Sequence, residues 1–322
     1  MMVSKLMRPW SVVAALLLAL VVVLTGCSSS SDDEGGSGDS SETKTVTTLD
    51  GPVEIPADPQ RIVALRNTAE ALVLLDGNVV GVPEGYTEEM FGDNTEAWAR
   101  YQALPKIGKM DDPDLEKVAA LEPDLILGGV PQVYWADVNQ EALGQIAPVV
   151  NLDTGSVSSE WTRVFAETTD IAGLNEAGTA KKDEYEARAA EVHDKHAAKI
   201  DGTKFVAIAS WTPGTVYTQP AGSFTPQKAQ DAGLVFPEGE LAEVSVEQLG
   251  TLAEYDAILY PVQPDGTPTP EMQAVLDSEL FKSLPAVRAG RVLAVSHTRP
   301  QTYDAGLASL DSLDEQLEKM PA

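Results

Sequence analysis

Cysteine is almost absent from these 322 residues: Cys27 stands alone, which rules out an intrachain disulfide. Histidine is nearly as scarce. Its three copies, His193, His196 and His297, are too few and too scattered to grip a free transition metal through converging ligands. Positive charge is the third scarcity, with 22 Lys and Arg against 50 Asp and Glu and a formal net charge of −28. So acidic a chain is a poor partner for nucleic acid or an anionic membrane surface, and the excess predicts solubility rather than a ligand. The G-x-S-x-G elbow, the P-loop and the H-E-x-x-H pair are also missing, which removes the most readable hydrolase, nucleotide-binding and zinc-enzyme signatures. No short tandem repeat runs through the chain.

What is present begins with a leader. Lys5 and Arg8 precede an apolar run, Ser11 to Leu24, that is short for a membrane span. Leu24-Thr25-Gly26-Cys27 follows directly and matches the lipobox at which Cys27 is diacylated and the leader removed. Loss of Lys5 and Arg8 with the leader takes the charge to about −30. Ser28 to Thr43 is polar, acidic and of low complexity, and reads as a disordered tether. Gly38-Asp39-Ser40 within it has no strand or helix beside it and carries no hydrolase reading.

The remainder alternates. Thr45 to Ile55 reads as a hairpin turning at Asp50-Gly51. Short apolar strands follow at Arg61–Leu65, Val79–Val82, Leu125–Leu127 and Val149–Leu152, with helical stretches between them. A long excursion, 83–102, interrupts the series. Asn175 to Ala198 is rich in Ala, Glu, Lys and Arg, and predicts a rod about 35 Å long with Asn175 as its N-cap. After the rod the alternation restarts, with strands at Phe205–Ala209, Val216–Thr218, Ala257–Pro261 and Arg291–Val295 and a closing helix from Tyr303. Val244–Leu252 reads as a helix, and Pro113 marks the start of another. The fold class is therefore α/β: two α/β lobes with mostly parallel sheets joined by one long connecting α-helix. The boundaries are 1–26 for the leader, 27–43 for the tether, 44–157 for the first lobe, 158–200 for the connecting helical segment and 201–322 for the second lobe.

Several fragments carry a resemblance. They are Pro59-Gln60-Arg61-Ile62-Val63, Val79-Val80-Gly81-Val82, Leu104-Pro105-Lys106-Ile107-Gly108 and Asp114-Leu115-Glu116-Lys117-Val118 with Leu121-Glu122-Pro123-Asp124-Leu125-Ile126. In the second half they are Val244-Ser245-Val246-Glu247-Gln248-Leu249 and Leu284-Pro285-Ala286-Val287-Arg288-Ala289-Gly290-Arg291-Val292. From Val46 to Leu317 the chain resembles the ABC-transporter substrate-binding proteins with a helical backbone, the class III group, in its iron-siderophore branch. The resemblance implies a cleft between the lobes, a ferric siderophore as ligand rather than a cofactor, and membrane permease subunits as partners. It further implies a monomer, held outside the cytoplasm on the cell membrane through lipidated Cys27. Glu116 and Glu247, one per lobe and each two residues before an apolar side chain (Val118, Leu249), match the family's permease-docking carboxylates. The helix dipole alone also favours an acid at both places.

In such a fold the loops at the carboxyl ends of the strands face the ligand. Those loops carry Arg66, Lys109, Tyr134, Trp135, Trp211, Arg299 and Tyr303, cations and aromatics gathered in an acidic chain. Arg offers forked donors to chelating oxygens, and Trp and Tyr offer flat apolar area with a polar tip. A large oxygen-rich iron chelate suits that lining, with no metal bound directly by the protein. Haem, through Tyr134, Tyr303 or His297, and cobalamin are the rival ligands within the family. A secreted enzyme and a surface scaffold are the rivals from other classes. His193 and His196, on the rod, read as part of a solvated face.

Overall fold

The computed structural model describes residues 42–48, 50–110, 112–154 and 160–321. Cys27, the leader and the tether as far as residue 41 lie outside the described residues. β1 (Thr43–Thr48) and β2 (Gly51–Pro56) form the expected antiparallel hairpin, with Gly51 at φ +116° beside Asp50. Lys44 on β1 reaches away from it and donates to the carbonyls of Asp170 and Ile171, both at 3.0 Å. A cation there satisfies the last carbonyls of a helix and meets the negative end of its dipole.

The first lobe is built from β3 (Ile62–Ala64), α1 (Ala69–Leu74), β4 (Val79–Gly81), the excursion with its 3-10 turn (Glu88–Phe91) and α2 (Thr95–Ala103), and the two-residue pair β5 (Gly108–Lys109) and β6 (Asp112–Pro113). α3 (Leu115–Ala120), β7 (Leu125–Gly128), α4 (Gln132–Trp135), α5 (Gln140–Gly144) and β8 (Val149–Asn151) complete it. Its sheet has the order β4-β3-β7-β8 and every pairing is parallel. β3 and β7 are fully buried, as strands covered on both faces must be. Two of the sequence fragments that carry the resemblance bond to each other here. The Asp124 carboxylate accepts from the backbone N–H groups of Gln60 and Arg61 at 2.7 and 2.9 Å, and the Arg61 guanidinium donates to the carbonyl of Glu122 at 2.9 Å. The first contact sets the β3–β7 register, and the second satisfies the end of α3. Asp114, not Pro113, caps α3: its carboxylate accepts from the N–H groups of Glu116 and Lys117, while Pro113 belongs to β6.

α6 (Trp161–Ile171) and α7 (Asn175–Ile200) form the connection. Gly173, at φ +71°, ends α6, and the Leu174 N–H returns to the Thr169 carbonyl at 2.7 Å. Asn175 is therefore already the first helical residue rather than the cap, and its amide donates to Asp170 at 2.8 Å. Only Gly178, Tyr185, Ala189, Val192, His196 and Ile200 of α7 are buried, a single stripe at helical spacing. A side chain at Gly178 would meet Thr169 of α6 within 3.0 Å, so the glycine is what lets the two helices approach.

The second lobe runs β9 (Phe205–Thr212), β10 (Thr215–Gln219), α8 (Phe224–Asp231), β11 (Ala242–Ser245), a 3-10 stretch (Val246–Glu254) and β12 (Ala257–Pro261). α9 (Pro270–Asp277), α10 (Glu279–Ser283), α11 (Pro285–Arg288), β13 (Val292–Val295) and α12 (Tyr303–Lys319) follow. Its sheet has the order β11-β10-β9-β12-β13. β9-β12-β13 is parallel, whereas β9-β10 and β10-β11 are antiparallel, so the second sheet is mixed where the sequence predicts mostly parallel pairing. The cause is the two-residue connection Pro213-Gly214, too short for a crossover, with Gly214 at φ +78°. Val244–Leu252 is likewise strand then 3-10 turn rather than one helix.

One core cluster runs through both lobes. It takes in Ile62 and Leu125 of the first sheet, Trp161, Phe165 and Tyr185 of the connection, and Phe205, Leu259 and Leu310 of the second lobe. α7 and α12 are also tied by charge. Asp314 meets Arg188 at 2.7 Å, Lys195 at 2.8 Å and His196 at 2.6 Å. Burial works to raise the Asp314 carboxyl, yet those donors hold it well below the usual carboxylate range. His196 is thus buried and partnered, which corrects its reading as a solvated residue.

Candidate functional site

The carboxyl end of β3 leads into Arg66. Asn67 follows with φ +65°, a left-handed backbone that Asn tolerates better than most residues. The Asn67 side chain donates to the Gly129 carbonyl at 2.7 Å, and the Gly129 N–H donates to the Arg66 carbonyl at 2.8 Å. The loops after β3 and β7 are thereby locked together, and the Arg66 backbone is fixed between them. Its guanidinium lies over the ring of Tyr134 at 5.2 Å, a cation–π arrangement. Tyr134 is 43% exposed on α4. Under this wall Glu70, in the first turn of α1, is buried. Burial pushes its carboxyl up to about 7, against hydrogen bonds from the Tyr86 hydroxyl and its own turn and the charge of Arg66.

The second lobe contributes Trp211 at the end of β9. Its ring stacks on Tyr217 of β10 at 3.7 Å and 7°, and the Tyr217 hydroxyl bonds Thr212 at 3.0 Å. The antiparallel hairpin therefore holds the indole flat, and the residue remains 48% exposed. Arg299, exposed after β13, lies over Phe224 at 5.2 Å and makes no ion pair among the described residues. Trp211 and Arg299 share a cavity of about 210 Å³ with Gln219, Gln263, Thr298 and, from the first lobe's excursion, Glu89. This hollow collects the carboxyl ends of β9, β12 and β13, where a ligand site belongs in an α/β sheet. Four larger hollows, of about 640, 590, 440 and 260 Å³, lie elsewhere, the first two along β1–α6 and along α7. The largest takes in the end of β8, and of the sequence-predicted site residues Tyr303 alone lines any of the four, so volume alone does not mark the site.

Two sequence-predicted site residues are buried in the core. Trp135 is 2% exposed, packs with Leu65, Val130 and Leu143, and donates its indole N–H to Asp50 at 3.3 Å. It is a core residue of the first lobe because the roughly 100° step from Tyr134 along α4 turns it inward. Tyr303 is 4% exposed inside an aromatic cluster with Trp161, Phe165 and Tyr185, at ring distances of 5.0, 4.9 and 5.5 Å. Burial, reinforced by Glu186 and Asp231, pushes its hydroxyl up to about 12. His297, at φ +53°, is buried with its Nδ1 3.0 Å from the Ser296 hydroxyl. Of the three candidate haem ligands, Tyr134 alone is exposed. Lys109 is exposed on β5 and, with Arg66 and Tyr134, is outside the lining of the 210 Å³ cavity. Sequence reasoning missed Glu89, Tyr217 and Phe224. The alternation Thr215-Val216-Tyr217 signalled a strand but not which partner Tyr217 would meet, and nothing in 83–102 marked Glu89.

Glu116 and Glu247 are both exposed in the first turns of α3 and of the 3-10 stretch, over the buried Val118 and Leu249. Among the described residues no group of three or more His, Cys, Asp or Glu is placed to hold a metal ion, and no helix is long and apolar enough to cross a membrane.

Two α/β lobes joined through a long helix, with a partly open cavity at strand ends, define a bilobal solute-binding architecture. A family model described as periplasmic binding protein matches residues 62–297, and the chain belongs to that family. A curated relative, the iron(3+)-hydroxamate-binding protein YxeB of Bacillus subtilis, is 25% identical over 282 residues, covering 83% of this chain and 82% of YxeB. The siderophore periplasmic binding protein from the fuscachelin gene cluster of Thermobifida fusca superposes with a TM-score of 0.67 at 26% identity, covering 82% of this chain and 98% of that structure. Staphylococcus aureus SirA, solved in complex with staphyloferrin B, shares the fold with a TM-score of 0.67 at 19% identity, over 86% of this chain and 99% of SirA.

Proposed function

We propose that this protein captures a ferric siderophore between its lobes and delivers it to an ABC-transporter permease. The reading places the protein outside the cytoplasm, anchored through a lipidated Cys27, as a monomeric binder without catalytic turnover. The observation that carries it is the strand-end cavity in which an exposed, stacked Trp211 converges with Arg299, which makes no ion pair among the described residues. A guanidinium donates to chelating oxygens, and a fixed indole covers an apolar ligand face. Arg66 with Tyr134, and Lys109, supply the first lobe's share of the contact. The names of the hydroxamate- and siderophore-binding relatives support the same ligand class.

Glu116 and Glu247 are the proposed docking residues, each meeting an Arg of the permease. Native mass spectrometry of the chain from residue 28 onward, against ferric chelates, haem and cobalamin, tests the ligand class. A ferric chelate should be retained and the other two lost. Retention of haem or cobalamin alone would replace the siderophore reading.

A further inference from the structure

Among the described residues, the cavity that holds Trp211 and Arg299 has two charged lining residues, Arg299 and Glu89. Its other polar lining side chains are hydroxyls and amides, among them Ser210, Gln219, Thr269 and Thr298. Glu89 is the one contribution of the first lobe, and it carries no ion pair or side-chain hydrogen bond among the described residues. Its position is built rather than incidental. The 3-10 turn that carries it ends at Gly92, whose φ of +64° and close approach to the backbone of Asp304, 2.8 Å from where a Cβ would sit, exclude any side chain. Two residues on, Asn94 donates to Asp304 at 2.9 Å, and Lys181 of α7 pairs with the same carboxylate at 2.8 Å. The excursion is thus pinned to the start of α12, which follows the loop bearing Arg299, and Glu89 is held in the cavity opposite the second lobe's own wall.

Charge then discriminates among chelates. A ferric ion with three hydroxamates is neutral, and a pendant amine makes it cationic. A ferric ion with three catecholates carries three negative charges. One Arg against one Glu gives the cavity lining no net positive charge to offset such a trianion, Arg66 and Lys109 lie outside that lining, and the acidic surface beyond opposes it further. Selectivity of this kind needs a group that penalises the wrong ligand as much as one that welcomes the right one.

We propose that Glu89 is a charge-selecting residue: it admits neutral and cationic ferric chelates and rejects polyanionic ones. The inference rests on the siderophore reading above and specifies its ligand class by charge.

The test uses one linear ferric trihydroxamate in two forms, with its terminal amine free or acetylated, and a ferric tris-catecholate. Affinities are measured by tryptophan quenching for the wild-type chain from residue 28 onward and for Glu89→Gln and Glu89→Lys. A partly exposed charge pair of this kind predicts about a fivefold preference for the free-amine form in the wild type. That preference should vanish in Glu89→Gln and reverse in Glu89→Lys, while tris-catecholate binding improves in the same order. The acetylated form, alike in its chelate core, reports any loss of shape. Equal weakening of both trihydroxamates by Glu89→Gln, or tighter tris-catecholate than trihydroxamate binding by the wild type, would overturn the charge-selecting role and leave the siderophore reading intact. Absence of binding by every ferric chelate would overturn the siderophore reading and this inference with it.

Discussion

The two walls of the proposed site are made in different ways. In the first lobe a wholly parallel sheet ends in loops that must turn back into helices, and those ends are clamped by buried Asn67 and Asn151. Asn67 donates to Gly129, and Asn151 exchanges two hydrogen bonds with the Val130 backbone at 2.8 and 2.9 Å. What projects from it is a cation with a fixed backbone, Arg66. In the second lobe an antiparallel hairpin breaks the parallel pattern, and its first strand, β9, carries an indole stacked on its neighbour. The lobes also bury ionisable groups of opposite sign: Glu70, on α1, in the first and Lys228, on α8, in the second. Burial pulls the Lys228 ammonium down to about 7 against the charge of Asp231, just as it pushes Glu70 up to about 7. Parallel topology positions charge, antiparallel topology exposes flat apolar area, and each lobe tolerates one poorly solvated group beneath.

The largest effects separate core aromatics from site aromatics. Trp135→Ala and Tyr303→Ala should each destabilise the protein by roughly 3–5 kcal/mol in denaturant unfolding, because both leave a cavity in packed surroundings. Trp211→Ala should change stability by about 0.5 kcal/mol or less. A large unfolding effect of Trp211→Ala with unchanged ligand binding would erase the distinction.

Next in size are the two buried ions, whose linkage has opposite signs. Folded Glu70 keeps a proton that the unfolded chain releases between pH 4.5 and about 7, so its contribution makes stability fall as pH rises through that window. Folded Lys228 has released a proton that the unfolded chain holds between about 7 and pH 10.5, so its contribution makes stability rise with pH there. The advantage of Glu70→Gln over wild type should grow from pH 4.5 to 7, and that of Lys228→Met should shrink from pH 7 to 10.5, each by a few kcal/mol in order of magnitude. Melting temperatures across both windows check this. Parallel pH profiles for variant and wild type would show that the group titrates alike in both states.

Arg66→Ala and Arg299→Ala compare the walls directly. Each should weaken ferric-chelate binding by about 1.5–3 kcal/mol, the range for hydrogen bonds to charged groups, with little change in melting temperature. A loss from one variant alone would assign the contact to one lobe. The docking carboxylates come last. Glu116→Arg and Glu247→Arg should cost about 0.3–1 kcal/mol through the helix-end dipole, yet abolish uptake at unchanged ligand affinity. Normal uptake by both variants would leave only the dipole account.

Element type and order were legible because β3, β7, β9 and β12 are short apolar runs and α7 is a long run of helix formers. The loops at the strand ends were legible for the same reason, but the direction of each side chain within them was not. Tyr134 and Trp135 are adjacent and chemically alike, and the roughly 100° step between helical neighbours sends them to solvent and core respectively. For Tyr303 a signal existed: with Gly306, Leu310, Leu313 and Leu317 it completes the buried stripe of α12. The antiparallel β9–β10 pair was signalled by Pro213-Gly214, whose brevity excludes a crossover. Glu89 had no local signal, because its position depends on Gly92 meeting Asp304, more than two hundred residues further along the chain.

The central claim is that a ferric chelate binds at the cavity of Trp211 and Arg299. Titration of the chain from residue 28 onward with a ferric trihydroxamate, followed by tryptophan fluorescence in wild type and Arg299→Ala, tests it most directly. The account predicts saturable quenching in the wild type and a binding curve shifted about tenfold or more to higher concentration in the variant at equal melting temperature. Saturable binding of haem or cobalamin with no response to any ferric chelate, or identical curves for the two proteins, would contradict it.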